Sequence, residues 1–428
     1  MSEIKDTAVT TSDTAPVKKT PRPKPKSMLM LGEQSAALLE NARQAKARGE
    51  LVGWSTSIFP QEIAEALGLN ILYPENYSAG IAARKKADPY LQMAEGPLNY
   101  NNDLCSYAKI NLAYAEALHE DGDFAMPDFL CVTNNICNQV TKWFENLSKK
   151  MNIPLFMIDT CYNAEDYVTE SRVKYIRAEI DQYIKDLCEL TGKVWDEERF
   201  KEVMEISAVN KDLWIKANEM LMAKPSPMNG FDLFNYMSCM VCNRGKRSTT
   251  EILTQLCAEI EEHKKNGTST YPVEEKYRIF WDGIACWPWL GHNLRVLKQY
   301  GINMVASGYV KAWALDYETN DLDGMARAYS YCPANNNNMS TFIQRRSEAL
   351  KQFQCDGMIY HVNRSCKVMD CQQIEAQRQI EAITGVPYTT FDGDQSDYRN
   401  YSEAQYETRI QGLVEVMEAK KKEEKENG

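Results

Sequence analysis

The stretch DFLCVTNNICNQVTKWFENL, from Asp128 to Leu147, constrains the fold of this chain more than any other. Its short apolar run FLCV predicts a buried strand, and the asparagine pair that follows predicts a turn. Apolar residues then repeat at helical spacing and predict a helix: Val140, Trp143, Phe144 and Leu147. A buried strand that turns directly into a helix is the repeating unit of parallel α/β sheets.

Cys137 lies at the point where this predicted strand passes into the helix. The carboxyl ends of parallel strands are where open α/β sheets place their chemistry. The positive end of the helix dipole and its free N–H groups favour a thiolate at such a position. A small residue that simply fills the turn is the alternative interpretation of Cys137.

The same strand and helix alternation recurs on both sides of a long, charged stretch of helical periodicity. We therefore predict an α/β protein with two doubly wound parallel-sheet domains, a helical region and a disordered N-terminal tail. The predicted segments are 1–27 for the tail, 28–163 for the first α/β domain, 164–270 for the helical region and 271–428 for the second α/β domain. The basic run KKTPRPKPK of the tail is interpreted as a solvated extension, with a nucleic-acid or membrane tether as the alternative.

The charge of the chain limits the classes of partner. Lys and Arg number 49 against 60 Asp and Glu, and the net charge of -11 argues against nucleic acid or an anionic membrane as the main partner. A local basic pocket stays compatible with this balance. The sequence shows neither a signal peptide nor a spanning apolar run, so we expect a cytoplasmic protein.

The 13 cysteines are not expected to form disulfides, because a reducing compartment opposes them. They are therefore expected to be buried small side chains, reactive thiols or metal ligands. Only four histidines occur, and none is spaced for a zinc site with another. Cys188 and Cys257 fall among apolar helical positions, which predicts burial.

Two further cysteines share the context of Cys137. Cys105 precedes a predicted helix in the first α/β domain, and Cys366 follows a strand in the second. A site that uses all three must lie in the cleft between the domains. The CxxC formed by Cys239 and Cys242 is a weaker metal signal, because no second CxxC accompanies it.

Three widely separated cysteines in a chain poor in histidine suit an iron–sulfur cluster better than zinc. Thiolates are the usual protein ligands of such clusters, and a 4Fe-4S cluster takes four. Three protein ligands leave one iron open, and an open iron can bind a substrate oxygen and act as a Lewis acid.

Polar residues also end the first two predicted strands, namely Ser55, Ser57 and Glu75. If the strands are parallel, these side chains lie at the same edge of the sheet as the cysteines. Capping and turn formation are the alternative explanation for each of them, including a simple turn at Pro74–Asn76.

Eight motifs in this order resemble the alpha subunits of 2-hydroxyacyl-CoA dehydratases: GWSTSIFPQE, YPEN, DLCSYAK, NNICNQVTKWFENL, SPMNGFDLF, DLDGMARAYS, YHVNRSCK and FDGDQSD. The resemblance extends from about residue 30 to 420. It is strongest to the members that act on (R)-2-hydroxyisocaproyl-CoA and (R)-phenyllactyl-CoA.

The resemblance implies one 4Fe-4S cluster in this chain. Its ligands would be Cys105 of DLCSYAK, Cys137 of NNIC and Cys366 of NRSC, whereas Cys131 would be a strand residue and not a ligand. It also implies a heterodimer with a homologous beta subunit that carries its own cluster, and an ATP-dependent iron–sulfur activator protein.

Ser57 of GWSTS and Glu75 of YPEN match family residues that face the (R)-2-hydroxyacyl-CoA substrate. The implied reaction starts with one electron from the activator, which makes a ketyl radical of the thioester and expels the α-hydroxyl. Loss of the acidified β-proton and return of the electron then give the (E)-2-enoyl-CoA, with Ser57 and Glu75 serving the leaving hydroxyl.

Two other functions stay open at this point. One is a subunit of an ATP-dependent aromatic acyl-CoA reductase, and the other is a non-catalytic electron-transfer subunit that holds a cluster. The GWSTS and YPEN loops favour catalysis, since an electron carrier needs no carboxylate beside the open iron. The acyl side chain is left open among branched aliphatic, phenyl and indolyl groups.

Overall fold

The structure is a computed structural model that describes residues 23–119, 122–331 and 338–427. Most of the predicted disordered tail, residues 1–22, lies outside the described residues. The first helix already begins at Lys26, within the segment predicted as tail. Ser27 is buried there, and its hydroxyl bonds to the Tyr236 hydroxyl at 2.6 Å.

Four parallel strands form the first sheet, in the order β2-β1-β3-β4. The elements of this part are, in chain order, α1 (Lys26–Ala47), β1 (Val52–Ser55), α2 (Gln61–Ala66), β2 (Asn70–Leu72), α3 (Pro74–Ala83), α4 (Asp88–Glu95), α5 (Ser106–Ala113), β3 (Phe129–Thr133), α6 (Asn138–Met151) and β4 (Leu155–Ile158). The central strands β1 and β3 are buried along their whole length, which explains their apolar sequences.

Four long or buried helices follow the first sheet: α7 (Glu170–Thr191), α8 (Glu197–Glu219), α9 (Leu233–Cys242) and α10 (Arg247–Lys265). The predicted helical region is therefore present. Its domain limits stay a prediction, because one hydrophobic core continues from the first sheet through these helices to the second sheet.

A second sheet repeats the first one with the order β6-β5-β7-β8, again all parallel. Its elements are β5 (Tyr277–Asp282), α11 (Leu290–Gln299), β6 (Ile302–Ser307), α12 (Gly308–Lys311), α13 (Leu322–Ser330), α14 (Met339–Gln352), β7 (Gly357–Asn363), α15 (Lys367–Thr384), β8 (Tyr388–Gly393) and α16 (Glu403–Asn427). The predicted α/β fold with two doubly wound parallel sheets is confirmed.

In each sheet the connections between strands switch from one side of the first strand to the other at one place. The chain moves from β1 outward to β2 and then returns to β3 on the other side, and β5, β6 and β7 repeat this path. Such a reversal opens a crevice at the carboxyl ends of the strands, where α/β proteins bind ligands. The two crevices of this protein face a common cleft between the domains.

Two segments discussed above are helical. The segment Pro74–Asn76 is the first turn of α3 rather than a simple turn, with Pro74 at a position whose missing N–H costs nothing. The segment around Cys239 and Cys242 interrupts the amphipathic pattern, yet it forms the helix α9. Nearly every side chain of α9 is buried, and its polar side is limited to Asn235 and Ser238, so the helix lacks the broad charged face of its neighbours.

A charged network joins the first domain to the segment after β8. The Lys109 ammonium, on α5, is buried and lies 2.8 Å from a Glu95 oxygen and 3.8 Å from an Asp397 oxygen. Arg399 donates to both Glu95 oxygens, at 2.6 and 2.9 Å, and to Asp397 at 2.6 Å.

Within the described residues no helix is long and apolar enough to cross a membrane.

Candidate active site

A cleft of about 1560 Å³ lies between the two sheets and the helical region. Its wall includes the three cysteines that the sequence predicts to act together, Cys105, Cys137 and Cys366, and also Ser57 and Glu75. The structure therefore brings all five predicted site residues to one cavity. Ser55 is buried instead, and its hydroxyl donates to the Thr56 carbonyl at 3.2 Å.

Each of the three cysteines is the residue immediately before a helix: Cys105 before α5, Cys137 before α6 and Cys366 before α15. Their thiols therefore face the N–H groups of a first helical turn. The Cys137 sulfur accepts from the Val140 N–H at 3.3 Å. The first domain supplies two of the thiols and the second domain supplies the third.

Burial governs the pKa values of these thiols. It raises the pKa of Cys105 to about 12 and the pKa of Cys137 to about 11, and it raises the pKa of Cys366 well above its usual range. The N–H groups lower the pKa of each thiol, as expected at a helix N-terminus, but by less than burial raises it. Desolvation outweighs the N–H groups, and only a positively charged ligand would ionise the three thiols.

The three sulfurs also influence one another. Cys105 and Cys137 both add to the raised pKa of Cys366, so the three thiols are close in space. Among the described residues, no three His, Cys, Asp or Glu side chains are arranged to hold a single metal ion. The ligands of a 4Fe-4S cluster bind different irons and are spaced more widely than those of one ion. Three convergent thiols faced by N–H donors fit such a cluster.

The other cysteines considered from sequence occupy different surroundings. Cys131 is buried in β3, and its sulfur lies 3.3 Å from the Tyr183 hydroxyl. Cys239 and Cys242 are buried in α9, although Cys242 reaches the cleft wall. Cys257 is buried as predicted, and Cys188 is partly buried.

Glu75 lies near the cysteine group, because its charge contributes to the raised pKa of Cys137. Its Oε2 accepts the backbone N–H of Ser57 at 2.6 Å. Burial nevertheless raises the pKa of Glu75 above its ordinary value, and the bonds from Ser57 oppose this only in part. A carboxyl with a raised pKa can give and take a proton closer to neutral pH.

Three aromatic residues of the site were missed by the sequence analysis. Trp287 donates its indole N–H to the Tyr107 hydroxyl at 2.5 Å, and Tyr107 is hydrogen-bonded to Tyr309. Burial and then the nearby Glu75 raise the pKa of Tyr309, which keeps its hydroxyl protonated. Tyr309 lies in the short helix α12 directly after β6, and this position at a strand end was an available signal.

Basic residues line the outer part of the cleft: Arg84, Lys86, Lys311 and Arg345. This is the local basic pocket that the overall negative charge left possible. Buried apolar and aromatic side chains also line the cleft, among them Phe234, Met237 and Trp313.

The fold and the site together define a two-domain α/β protein with a cysteine-lined cleft at its strand ends. Residues 56–417 match the family model described as 2-hydroxyglutaryl-CoA dehydratase, D-component, and the chain belongs to this family of dehydratases, which are hydro-lyases. The resemblance drawn from the eight motifs is thereby confirmed.

Named relatives agree with this assignment. The chain is 52% identical to the (R)-2-hydroxyisocaproyl-CoA dehydratase alpha subunit of Clostridioides difficile over 92% of its own length and 95% of the relative's. It is 47% identical to the (R)-phenyllactyl-CoA dehydratase alpha subunit of Clostridium sporogenes, over 90% and 93% of the two chains. It is 23% identical to one of the subunits of the benzoyl-CoA reductase of Thauera aromatica, over 81% and 84%.

Proposed function

We propose that this chain is the alpha subunit of an (R)-2-hydroxyacyl-CoA dehydratase, which removes water from an (R)-2-hydroxyacyl-CoA to give the (E)-2-enoyl-CoA. The observation that carries the proposal is a single cleft in which three cysteines, each directly before a helix, lie together with the buried carboxyl of Glu75. The 52% identity to a protein named for this activity supports it.

Cys105, Cys137 and Cys366 would hold a 4Fe-4S cluster through their thiolates. When bound, a cluster with one iron free of protein ligands supplies a single electron and a Lewis acid, which is what dehydration through a ketyl radical of the substrate requires. Because the buried thiols have raised pKa values, binding would release their protons.

Glu75 would handle the proton of the departing hydroxyl. The hydroxyl leaves the α-carbon as water if Glu75 gives it a proton, and the β-carbon then loses a proton to restore the balance. The Ser57 N–H fixes the direction of the Glu75 carboxyl. The protonated Tyr309, next to Glu75, offers a second hydrogen-bond donor to the same region.

The lining of the cleft suits an acyl-CoA thioester. Aromatic and apolar side chains near Glu75 exclude water from the acyl group, and their size accommodates branched or aromatic side chains. The basic residues farther out, Arg84, Lys86, Lys311 and Arg345, suit the phosphates of coenzyme A.

The relatives are named as alpha subunits, and we propose a homologous beta subunit as the partner of this chain. An ATP-dependent iron–sulfur activator protein would supply the electron. A subunit of an aromatic acyl-CoA reductase is the competing function, but the identity to a protein of that kind is only 23%. A subunit that only transfers electrons binds no substrate, so it would not need a carboxyl such as Glu75 beside the cysteines.

The test is an anoxic assay of the complex of this chain with its beta subunit, supplied with activator and ATP. We expect (R)-2-hydroxyacyl-CoA to be converted to (E)-2-enoyl-CoA, with the (S)-substrate as the matched control. A panel of isocaproyl, phenyllactyl and indolelactyl thioesters then identifies the acyl group. A complex loaded with iron that dehydrates none of them, or that reduces an aromatic acyl-CoA instead, would refute the proposal.

A further inference from the structure

The loop after β8 reaches from the second domain to a cysteine of the first domain. Its Gln395 donates from Nε2 to the Cys105 sulfur at 2.9 Å. Gln395 is only 1% exposed, and it forms part of the cleft wall. A side-chain amide is therefore aimed at one of the three candidate cluster ligands from the opposite domain.

The oxygen of this amide has a partner of its own. Asn363, the last residue of β7, donates from Nδ2 to the Gln395 Oε1. With its oxygen paired in this way, Gln395 turns its N–H side towards Cys105. This orientation fits a thiolate, because a metal-bound sulfur has no proton and repels a carbonyl oxygen but accepts an N–H.

Neighbouring hydrogen bonds join the start of α5 to the second domain. The Ser106 hydroxyl, one residue after Cys105, donates to Asp394 Oδ1 at 2.5 Å. The Ser106 N–H donates to the Ser365 hydroxyl at 3.3 Å. These bonds tie the start of α5 to the two loops of the second domain that carry Gln395 and Cys366, so the amide cannot easily move away from the sulfur.

The geometry points to Gln395 as a positioning residue that sets the reduction potential of the cluster through Cys105. This inference rests on the proposed function, since it requires a 4Fe-4S cluster on the three cysteines. Hydrogen bonds to cluster sulfurs and burial are among the factors that set such potentials. An N–H donor stabilises the more negative, reduced cluster more than the oxidised one, so the bond raises the potential. Burial strengthens the effect because the local dielectric is low.

The bond has opposite consequences for the two halves of the reaction. A higher potential makes it easier for an external donor to load the electron. It also makes the loaded electron a weaker reductant for the thioester. Gln395 would thus set a potential that allows both electron transfer into the cluster and reduction of the thioester, without touching the substrate.

The test compares two replacements of Gln395 in the complete complex. Gln395→Leu removes the donor, and Gln395→Glu keeps the shape but places an oxygen near the sulfur. Gln379→Leu is the matched control, because Gln379 is an exposed amide on α15 that bonds to Glu375. The readouts are the iron content and the midpoint potential from an EPR-monitored titration, with the Cys137→Ala complex identifying the signal of the beta subunit.

We expect wild-type iron content in all three variants. The midpoint potential should fall in Gln395→Leu, fall at least as far in Gln395→Glu and stay unchanged in Gln379→Leu. Full iron with an unchanged potential in both Gln395 variants would overturn the inference. Loss of iron in both would also overturn it, since Gln395 would then hold the cluster rather than tune it. A wild-type complex without iron on this chain would instead refute the proposed function.

Discussion

Glu75 combines a position at the start of a helix with burial in the wall of the cleft. It lies in the first turn of α3 and accepts the Ser57 N–H at 2.6 Å, yet burial keeps its pKa above the ordinary value. If Glu75 moves the proton of the leaving hydroxyl, Glu75→Gln should keep the iron content and lower single-turnover dehydration by about 10²-fold or more. The amide has nearly the same shape, so the fold should be retained.

Ser57→Ala is the natural comparison, because the bond from the Ser57 backbone to Glu75 survives the change. Only the hydroxyl is lost, and turnover should remain within about tenfold of wild type, the effect of one hydrogen bond worth about 1 to 1.5 kcal/mol. Near-normal turnover in Glu75→Gln, at matched iron content, would leave the carboxyl with a purely structural role.

The choice between the neighbouring cysteines Cys131 and Cys137 gives a second prediction at this scale. Cys131 is buried in β3 beside Tyr183, away from the cleft, whereas Cys137 faces it. The anoxically purified protein should carry close to four irons per chain, and Cys137→Ala should lose most of them. Cys131→Ala should retain them and lose only some stability, about 1 to 2 kcal/mol from the small cavity. The iron content of the two variants tests this assignment. A full iron content in Cys137→Ala would show that Cys137 is not a cluster ligand.

At the scale of elements, α9 carries the CxxC pair that most resembles a metal motif. Both sulfurs are buried, and burial raises the pKa of Cys239 to about 12 and that of Cys242 well above its usual range. The double variant Cys239→Ala, Cys242→Ala should therefore keep its iron and its activity to within a few-fold, while its unfolding temperature falls. A variant that folds but lacks iron would show that this pair binds the cluster.

The elements that were predictable from sequence are those with a local signal. Cys105, Cys137 and Cys366 each stand between a buried strand or polar turn and a helix, and the periodicity on either side located them. The helix α9 gives a weaker signal, because its polar side is limited to Asn235 and Ser238. Tyr309 stands at a strand end, a signal that the sequence analysis did not use, whereas the role of Gln395 depends on a contact between distant parts of the chain. Gln395 lies within the quoted motif FDGDQSD, yet only the fold brings its amide to Cys105.

At the scale of the whole molecule, the network of Lys109, Glu95, Asp397 and Arg399 links the two domains close to the site. Arg399 first, and Lys109 second, lower the pKa of Glu95 from 4.5 to about 2. A carboxyl with a lowered pKa stabilises the folded state above its ordinary pKa. This contribution is lost as the pH falls from about 4.5 towards 2, because the unfolded chain binds the proton first.

Glu95→Gln should therefore be less stable than wild type at about pH 6, by on the order of 1 kcal/mol once solvent screening of this partly exposed group is included, and the difference should disappear only as the pH falls through about 2. Urea-unfolding midpoints across this range test the prediction. Glu145→Gln, which changes an exposed glutamate on α6, is the control and should follow wild type at every pH. A Glu95→Gln difference that does not change with pH would show that the network contributes no charge interaction across the domains.

The division of the cysteines between the two domains determines when the site can be completed. A ribosome releases the first domain, with Cys105 and Cys137, well before it makes β7 and the Cys366 that follows it. The nascent chain therefore presents only part of the ligand set, however well its first domain has folded. If the proposed cluster forms, its delivery would wait until Cys366 has been made. A chain truncated before β7 should then bind no complete cluster, even where its first domain folds.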